Sequence, residues 1–229
     1  MKVIRSLISG AFVLALLCIM LISSVEIAAY SDFTWYEKEY EKYQVLGDLD
    51  MEMKDARYVT EEMMSYLRGD RDDLVVETIV SGEAREFFNE REKAHMVDVR
   101  GLFVGGIYLR RIAIIVLLVS LVALAFCKTK KKQLLAKAYL MGAGGFIGCV
   151  GILAILIARD FNEVFFKFHE LFFTNDLWLL DWNTDLLIRM LPEGFFYDMA
   201  IRIGVIFVGM LMLLSVVSIV VLKKHKKNL

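Results

Sequence analysis

Proline is nearly missing from this chain, with Pro192 the only one in 229 residues, and none falls between 31 and 107. That long stretch is therefore not a proline-rich linker, and its scattered Trp, Tyr and Phe argue against disorder. Cysteine is equally scarce. Cys18, Cys127 and Cys149 each lie within or at the end of an apolar stretch, which leaves the polar regions no thiol for a disulfide, so packing must hold the fold. There are three histidines, no His-Glu-x-x-His run, no cysteine pair and no Gly-x-Ser-x-Gly elbow. These absences remove the local signatures of a zinc hydrolase and of an α/β-hydrolase serine triad.

What is present is apolar surface. Hydrophobic residues make up 58% of the chain and the mean hydropathy is +0.54, which points to a membrane protein. The formal charge of −1 hides a segregation. Lys128, Lys130, Lys131, Lys132 and Lys137 form one basic run and Lys223, Lys224, Lys226 and Lys227 another, while residues 32–98 are rich in Asp and Glu. Basic runs flush against apolar segments speak for membrane topology and not for a nucleic-acid partner.

The apolar periodicity predicts a mainly α membrane protein with four transmembrane helices, over residues 1–30, 108–127, 137–157 and 200–222. The first is longer than the ~7–15 apolar residues of a cleaved signal peptide, so it reads as an anchor despite Ala28 and Ala29. Leu17, bulky before Cys18, speaks against a lipidation signal. Arg110 and Arg111 open the second span and can snorkel toward head groups. In the third, Gly142, Gly144, Gly145, Gly148 and Gly151 are expected to form a small-residue face for close helix approach. The positive-inside bias places both termini, the lysine-rich loop 128–136 and the tail 223–229 in the cytoplasm. Residues 31–107 and 158–199 are then extracellular, the first as a patterned region covering the membrane surface. Within it, Val75–Gly82 reads as a strand with Ser81-Gly82 as its turn. His225, among lysines, reads as a solvated tail residue.

Two outward segments carry chemistry. In EREKAHMVDVR, Glu92, His95 and Asp98 recur every three residues, so either carboxylate is a candidate to orient the imidazole; the plainer alternative is a capped, charged helix end. In FFKFHELFFTNDLWLLDWNTDLLIRMLPEGFF, aromatics surround His169, as an amphipathic interfacial helix would also require. That alternative accounts less well for Asn175, Asp176 and the series Asp181, Asp185, Arg189, whose intervals of four predict one helical face and an Asp185–Arg189 clamp. Pro192 and Gly194 break the segment before the fourth span. His95 and His169 with a carboxylate would make three zinc ligands, so a metal-dependent membrane hydrolase competes with metal-free acid/base work, and a non-enzymatic sensor or assembly protein is the third class.

With these residues in view, the chain resembles the lipoprotein intramolecular transacylase (Lit) family of Gram-positive bacteria. NEREKAHMVDVRGL ahead of the second span, FKFHELFFTNDLWLLDWNTDLLIRMLPEGFF ahead of the fourth, and the four-span layout carry the resemblance over essentially the whole chain. It implies a four-helix membrane body with an extracellular cap and an active site at the outer leaflet. The implied substrate is a lipoprotein whose amino-terminal cysteine carries a diacylglyceryl thioether and a free α-amine. The implied reaction moves the sn-2 acyl chain to that amine, giving a lyso-form lipoprotein with neither metal nor cofactor. His95 and His169 become the catalytic pair, in an order the sequence leaves open. Glu92, Asp98, Asn175, Asp181, Asp185 and Arg189 are the supporting residues, and Phe168, Phe172, Trp178 and Trp182 line the substrate site. Asn175, Arg189 or a backbone amide are candidates for the oxyanion donor. Membrane lipid is the other expected partner.

Overall fold

The computed structural model describes residues 2–127 and 129–227; Lys128 of the lysine loop and residues 228–229 of the tail lie outside them, as do the side chains of His225 and its two successors. The chain forms α1 (Lys2–Tyr30), α2 (Thr34–Lys42), α3 (Val45–Leu49), α4 (Met53–Arg68), β1 (Glu77–Val80), β2 (Glu83–Glu86), α5 (Glu90–Ala125), α6 (Lys131–Arg159), α7 (Phe161–Phe172), α8 (Leu186–Met190) and α9 (Glu193–Lys227). Among the described residues, α1, α5, α6 and α9 are long and apolar enough to cross a membrane. At ~1.5 Å per residue, α5 is ~54 Å long against a ~30 Å hydrocarbon core. Its apolar stretch begins near Tyr108, and the charged turns before that belong to a different compact unit.

Two units share the chain. The first comprises residues 1–27, 107–158 and 202–229. Its buried cluster joins Val13, Leu17 and Met20 of α1 to Tyr139 and Ala143 of α6 and Phe207 and Leu211 of α9. The Tyr139 hydroxyl donates to the Leu211 carbonyl at 2.9 Å, and Arg110 pairs with Glu26. The expected glycine face is narrower than its spacing suggested. A Cβ on Gly142 would meet Val13 Cγ1 at 2.5 Å, but one on Gly144, Gly145, Gly148 or Gly151 would meet nothing within 4 Å. Five small residues over ten positions wrap around more than one helical face, so a single neighbour can use only part of them.

The second unit comprises residues 28–106 and 159–201. α4 is amphipathic and buries Val59, Met63, Met64 and Leu67 against Tyr36, Tyr40, Leu49, Phe87 and Phe88, with Leu186, Leu187, Met190 and Phe195 completing the core. Buried tyrosines keep partners, as the low dielectric demands. Tyr40 hydroxyl and Thr60 hydroxyl lie 2.6 Å apart, and Tyr36 donates to the Ala29 carbonyl at 2.9 Å. The predicted strand is the first arm of a hairpin, β1 pairing antiparallel with β2, and Ser81 and Gly82 take positive φ of 53° and 78° at its two-residue turn. Right-handed strand twist favours that turn geometry.

Candidate active site

α5 starts at Asn89 with a reciprocal cap. Asn89 Oδ1 accepts from the backbone N–H groups of Arg91 (2.9 Å) and Glu92 (3.0 Å), while Glu92 Oε2 accepts from Asn89 N–H at 2.7 Å. The N-x-x-E spelling of Asn89 to Glu92 is the sequence signature of this box. Glu92 is fully buried, and its other oxygen reaches across to accept the Leu187 N–H at 2.6 Å, at the start of α8. Burial raises its pKa, opposed by the two backbone donors. Asp185, also buried, ties the same two elements together by accepting from Asn89 Nδ2 (2.8 Å), the Asp181 N–H (2.7 Å) and the Thr184 hydroxyl (3.0 Å). This polar knot fixes the first turns of α5, and His95 follows one turn later.

His95 and His169 are brought together. Both are buried, their ring centroids lie 6.2 Å apart, and Phe173 sits against both, at 5.4 and 5.5 Å. His169 is on α7, a helix capped by Asp160, whose carboxylate accepts the Glu163 N–H at 2.9 Å. Trp178 stacks on His169 with centroids at 4.8 Å, Phe165 lies at 4.2 Å and Phe168 stands edge-on at 5.5 Å. His169 Nδ1 is 2.7 Å from the Phe165 carbonyl. A carbonyl can only accept, so Nδ1 carries the proton and Nε2 keeps its lone pair. His95 Nδ1 is buried and has no hydrogen-bond partner among the described residues. Burial, the adjoining His169 and, in opposition, Asp98 set the His95 pKa at about 4; burial also lowers that of His169, against the pull of its Phe165 hydrogen bond. Both rings are neutral near pH 7.

Other sequence expectations are redirected. Neither carboxylate beside His95 hydrogen-bonds it: Glu92 is used by the cap and by α8, and Asp98 accepts from Asn175 Nδ2 at 2.8 Å. Asp181, Asp185 and Arg189 do not share a helix face, because α8 begins only at Leu186 and Asp185 stands at its cap. The clamp is absent for the same reason: Asp185 faces back to Asn89, whereas Arg189 donates to the Asp48 carbonyl at 3.1 Å. Asp181 accepts from the backbone and side chain of Asn183 at 2.9 and 3.0 Å. Phe172 packs on Phe168 at 4.7 Å, while Trp182 is 48% exposed and makes no ring contact with either histidine among the described residues. Phe165 and Phe173, missed as site residues, flank the histidine at i−4 and i+4, the helical spacing that signals them. Among the described residues no group of three His, Cys, Asp or Glu gathers as ligands for a metal ion.

The family model for the lipoprotein intramolecular transacylase Lit matches residues 10–196. No protein with a curated description matches the chain. Among solved structures, the membrane integral lipoprotein intramolecular transacylase Lit from Bacillus cereus, determined in meso, superposes with a TM-score of 0.82 at 21% identity, covering 99% of this chain and 100% of that one. A histidine-to-alanine variant of that protein gives 0.77 at 22% identity (99% and 97% covered), and a histidine-to-arginine variant 0.78 at 22% (100% and 96%). These structures share the fold of this chain. The family match covers well over half of the sequence, and the chain with its paired histidines belongs to the lipoprotein intramolecular transacylase (Lit) family.

Proposed function

We propose that this chain transfers the sn-2 acyl group of an S-diacylglyceryl cysteine, at the amino terminus of a lipoprotein, to the α-amine of the same cysteine. The juxtaposition of His95 and His169 in an aromatic enclosure carries the reading. At this separation the amine can lie against one ring and the ester carbonyl against the other.

His169 is the base, because its Nδ1–H is committed to Phe165 and Nε2 offers a lone pair. The amine attacks the ester carbonyl carbon as its proton passes to Nε2, the carbon–oxygen bond to glycerol breaks, and the imidazolium returns the proton to the departing glyceryl oxygen. His95, with its pKa at about 4, acts not as a proton store but as a neutral N–H donor to the carbonyl oxygen as it becomes negative. Phe165, Phe168, Phe173 and Trp178 confine the bent substrate and exclude the water that would hydrolyse the ester. Topologically, the basic runs set both termini in the cytoplasm, residues 31–107 cover the outer membrane surface, and the site works at the outer leaflet.

Mass spectrometry of the amino-terminal peptide of a reporter lipoprotein, made in a diacyl-producing host, tests the reading. The native chain should move one acyl group to nitrogen at unchanged mass, and His169→Ala should slow this by about a thousandfold, within the span of general-base effects. A reporter left diacylated on glycerol by the native chain overturns the reaction; full activity in His169→Ala overturns the base.

A further inference from the structure

The proposed transfer involves only the modified cysteine, so an enzyme that grips the following peptide without reading its sequence has to grip main chain. The chain just beyond His169 offers such a grip. After α7 ends, Phe173 is extended (φ −119°, ψ 133°) and its N–H goes back to the His169 carbonyl at 2.8 Å. Thr174 follows, and among the described residues no backbone hydrogen bond engages its N–H or its C=O. Asn175 then turns the chain, its Oδ1 accepting the Leu177 N–H at 3.1 Å. Beside this open backbone lies a cleft of about 200 Å³, lined by Val97, Asp98 and Gly101 of α5 and by Phe172 to Asn175. Asn175 Nδ2 and Asp98 close across it at 2.8 Å. A Cβ on Gly101 would meet nothing within 4 Å, so the cleft is open above the α5 backbone.

Phe173 belongs to both places, since it touches the two histidine rings and also lines the cleft. Successive Cα atoms are ~3.8 Å apart, so a peptide whose first residue has its amine at His169 reaches Thr174 with its second or third. We infer that Thr174 and the adjoining cleft form a peptide subsite that takes the residues directly after the modified cysteine as an extended main chain, with one side chain directed over Gly101. Pairing of the substrate N–H and C=O with those of Thr174 follows the logic of strand addition to an open edge, giving affinity without sequence preference. The cleft mouth sets a limit on side-chain size rather than on its identity. This subsite rests on the acyl-transfer reading.

The test compares two synthetic substrates on the purified full chain: S-diacylglyceryl cysteine amide, and the same group heading a tetrapeptide. Each main-chain hydrogen bond contributes about 1 kcal/mol, so two of them should favour the tetrapeptide by at least about tenfold in kcat/KM, through KM. Thr174→Pro, which removes the N–H after a residue whose extended conformation suits a following proline, should reduce that preference. Gly101→Leu, which fills the cleft, should reduce it most for tetrapeptides with a bulky second residue. The preference is a ratio within one preparation, so partial misfolding of a variant cancels. Equal kcat/KM for the two substrates on the native chain, or an unchanged preference in both variants, overturns the subsite while leaving acyl transfer in place. N-acylated product from neither substrate overturns acyl transfer and the subsite with it.

Discussion

The two compact units solve the burial problem in opposite ways. In the unit made of residues 28–106 and 159–201, large side chains turn inward, with Tyr40, Phe87, Phe88 and Met190 at 1% exposure or less, and buried polar groups such as Glu92 and Asp185 are held by several hydrogen bonds each. In the unit made of residues 1–27, 107–158 and 202–229, apolar side chains such as Ile115, Val119, Ile155 and Leu213 are at least 60% exposed. Such exposure is costly in water and costs nothing against lipid. The hydrophobic effect and dense polar locks thus hold the unit with the site, whereas close packing with a few polar ties, such as Tyr139 to Leu211 and Arg110 to Glu26, holds the helices of the other. A change that deletes a polar lock or a proton site should act on the first and leave the second almost untouched.

The largest test of that contrast is Glu92→Ala. It leaves the N–H groups of Asn89 and Leu187 without their carboxylate, and removes one of the two links between α5 and α8, leaving that of Asn89 to Asp185. One buried and one half-buried unpaired donor together with a small cavity should cost about 4 kcal/mol. Hydrogen exchange should show lost protection across residues 28–106 and 159–201 with the apolar helices still protected. Uniform loss over both units would show that they fold as one and would break the contrast.

Next in size is the response to acid. The His95 pKa falls from 6.5 to about 4 on folding, so the unfolded chain binds more protons throughout that interval. Its contribution to stability is complete above pH 6.5 and is lost as pH falls toward 4, a change of order 3 kcal/mol. His169, also lowered, adds in the same direction. Denaturant midpoints measured between these pH values should slope upward with pH, and His95→Gln should flatten part of the slope. A slope unchanged by that substitution would assign the acid sensitivity to other groups.

Sequence made the spanning helices legible because a run of apolar residues long enough to cross a bilayer has few other uses. The hairpin was legible from Ser81-Gly82, and the meeting of His95 with His169 from their places ahead of spans on the same outer side, as well as from the family resemblance. Less legible was anything decided by where a helix starts. Glu92 and Asp98 were spaced correctly to serve His95, but the first turn of α5 needed Glu92 for its own cap, and a contact with Leu187, ninety-five positions away, took the remaining oxygen. Asp181, Asp185 and Arg189 fit a helical period that the chain does not adopt, since the residues ahead of Leu186 turn instead of coiling. Local spacing specifies a face only after the element is known to exist.

The smallest effect gives the sharpest comparison, because the same chemical change can be made in each unit. A Cβ on Gly194 would press on the Tyr43 ring, lying 2.5 Å from Cζ and 2.7 Å from the hydroxyl. That hydroxyl donates to Asp198 at 2.6 Å, and Lys42 pairs with the same carboxylate. The half-buried ring can move only by giving up its hydrogen bond, so Gly194→Ala should destabilise by about 2 kcal/mol, partly offset by the better helix propensity of alanine. Gly142→Ala places its Cβ 2.5 Å from Val13 Cγ1, a methyl at the end of a short side chain that makes no hydrogen bond. Val13 can yield by a rotamer change or a small separation of α1 from α6, and lipid fills any space that opens, so the cost should be about 1 kcal/mol or less. Thermal unfolding of both variants in the same lipid decides the matter. A larger loss from Gly142→Ala would mean that the helices of the membrane unit are locked by that single close approach as firmly as the other unit is by its tyrosine and aspartate.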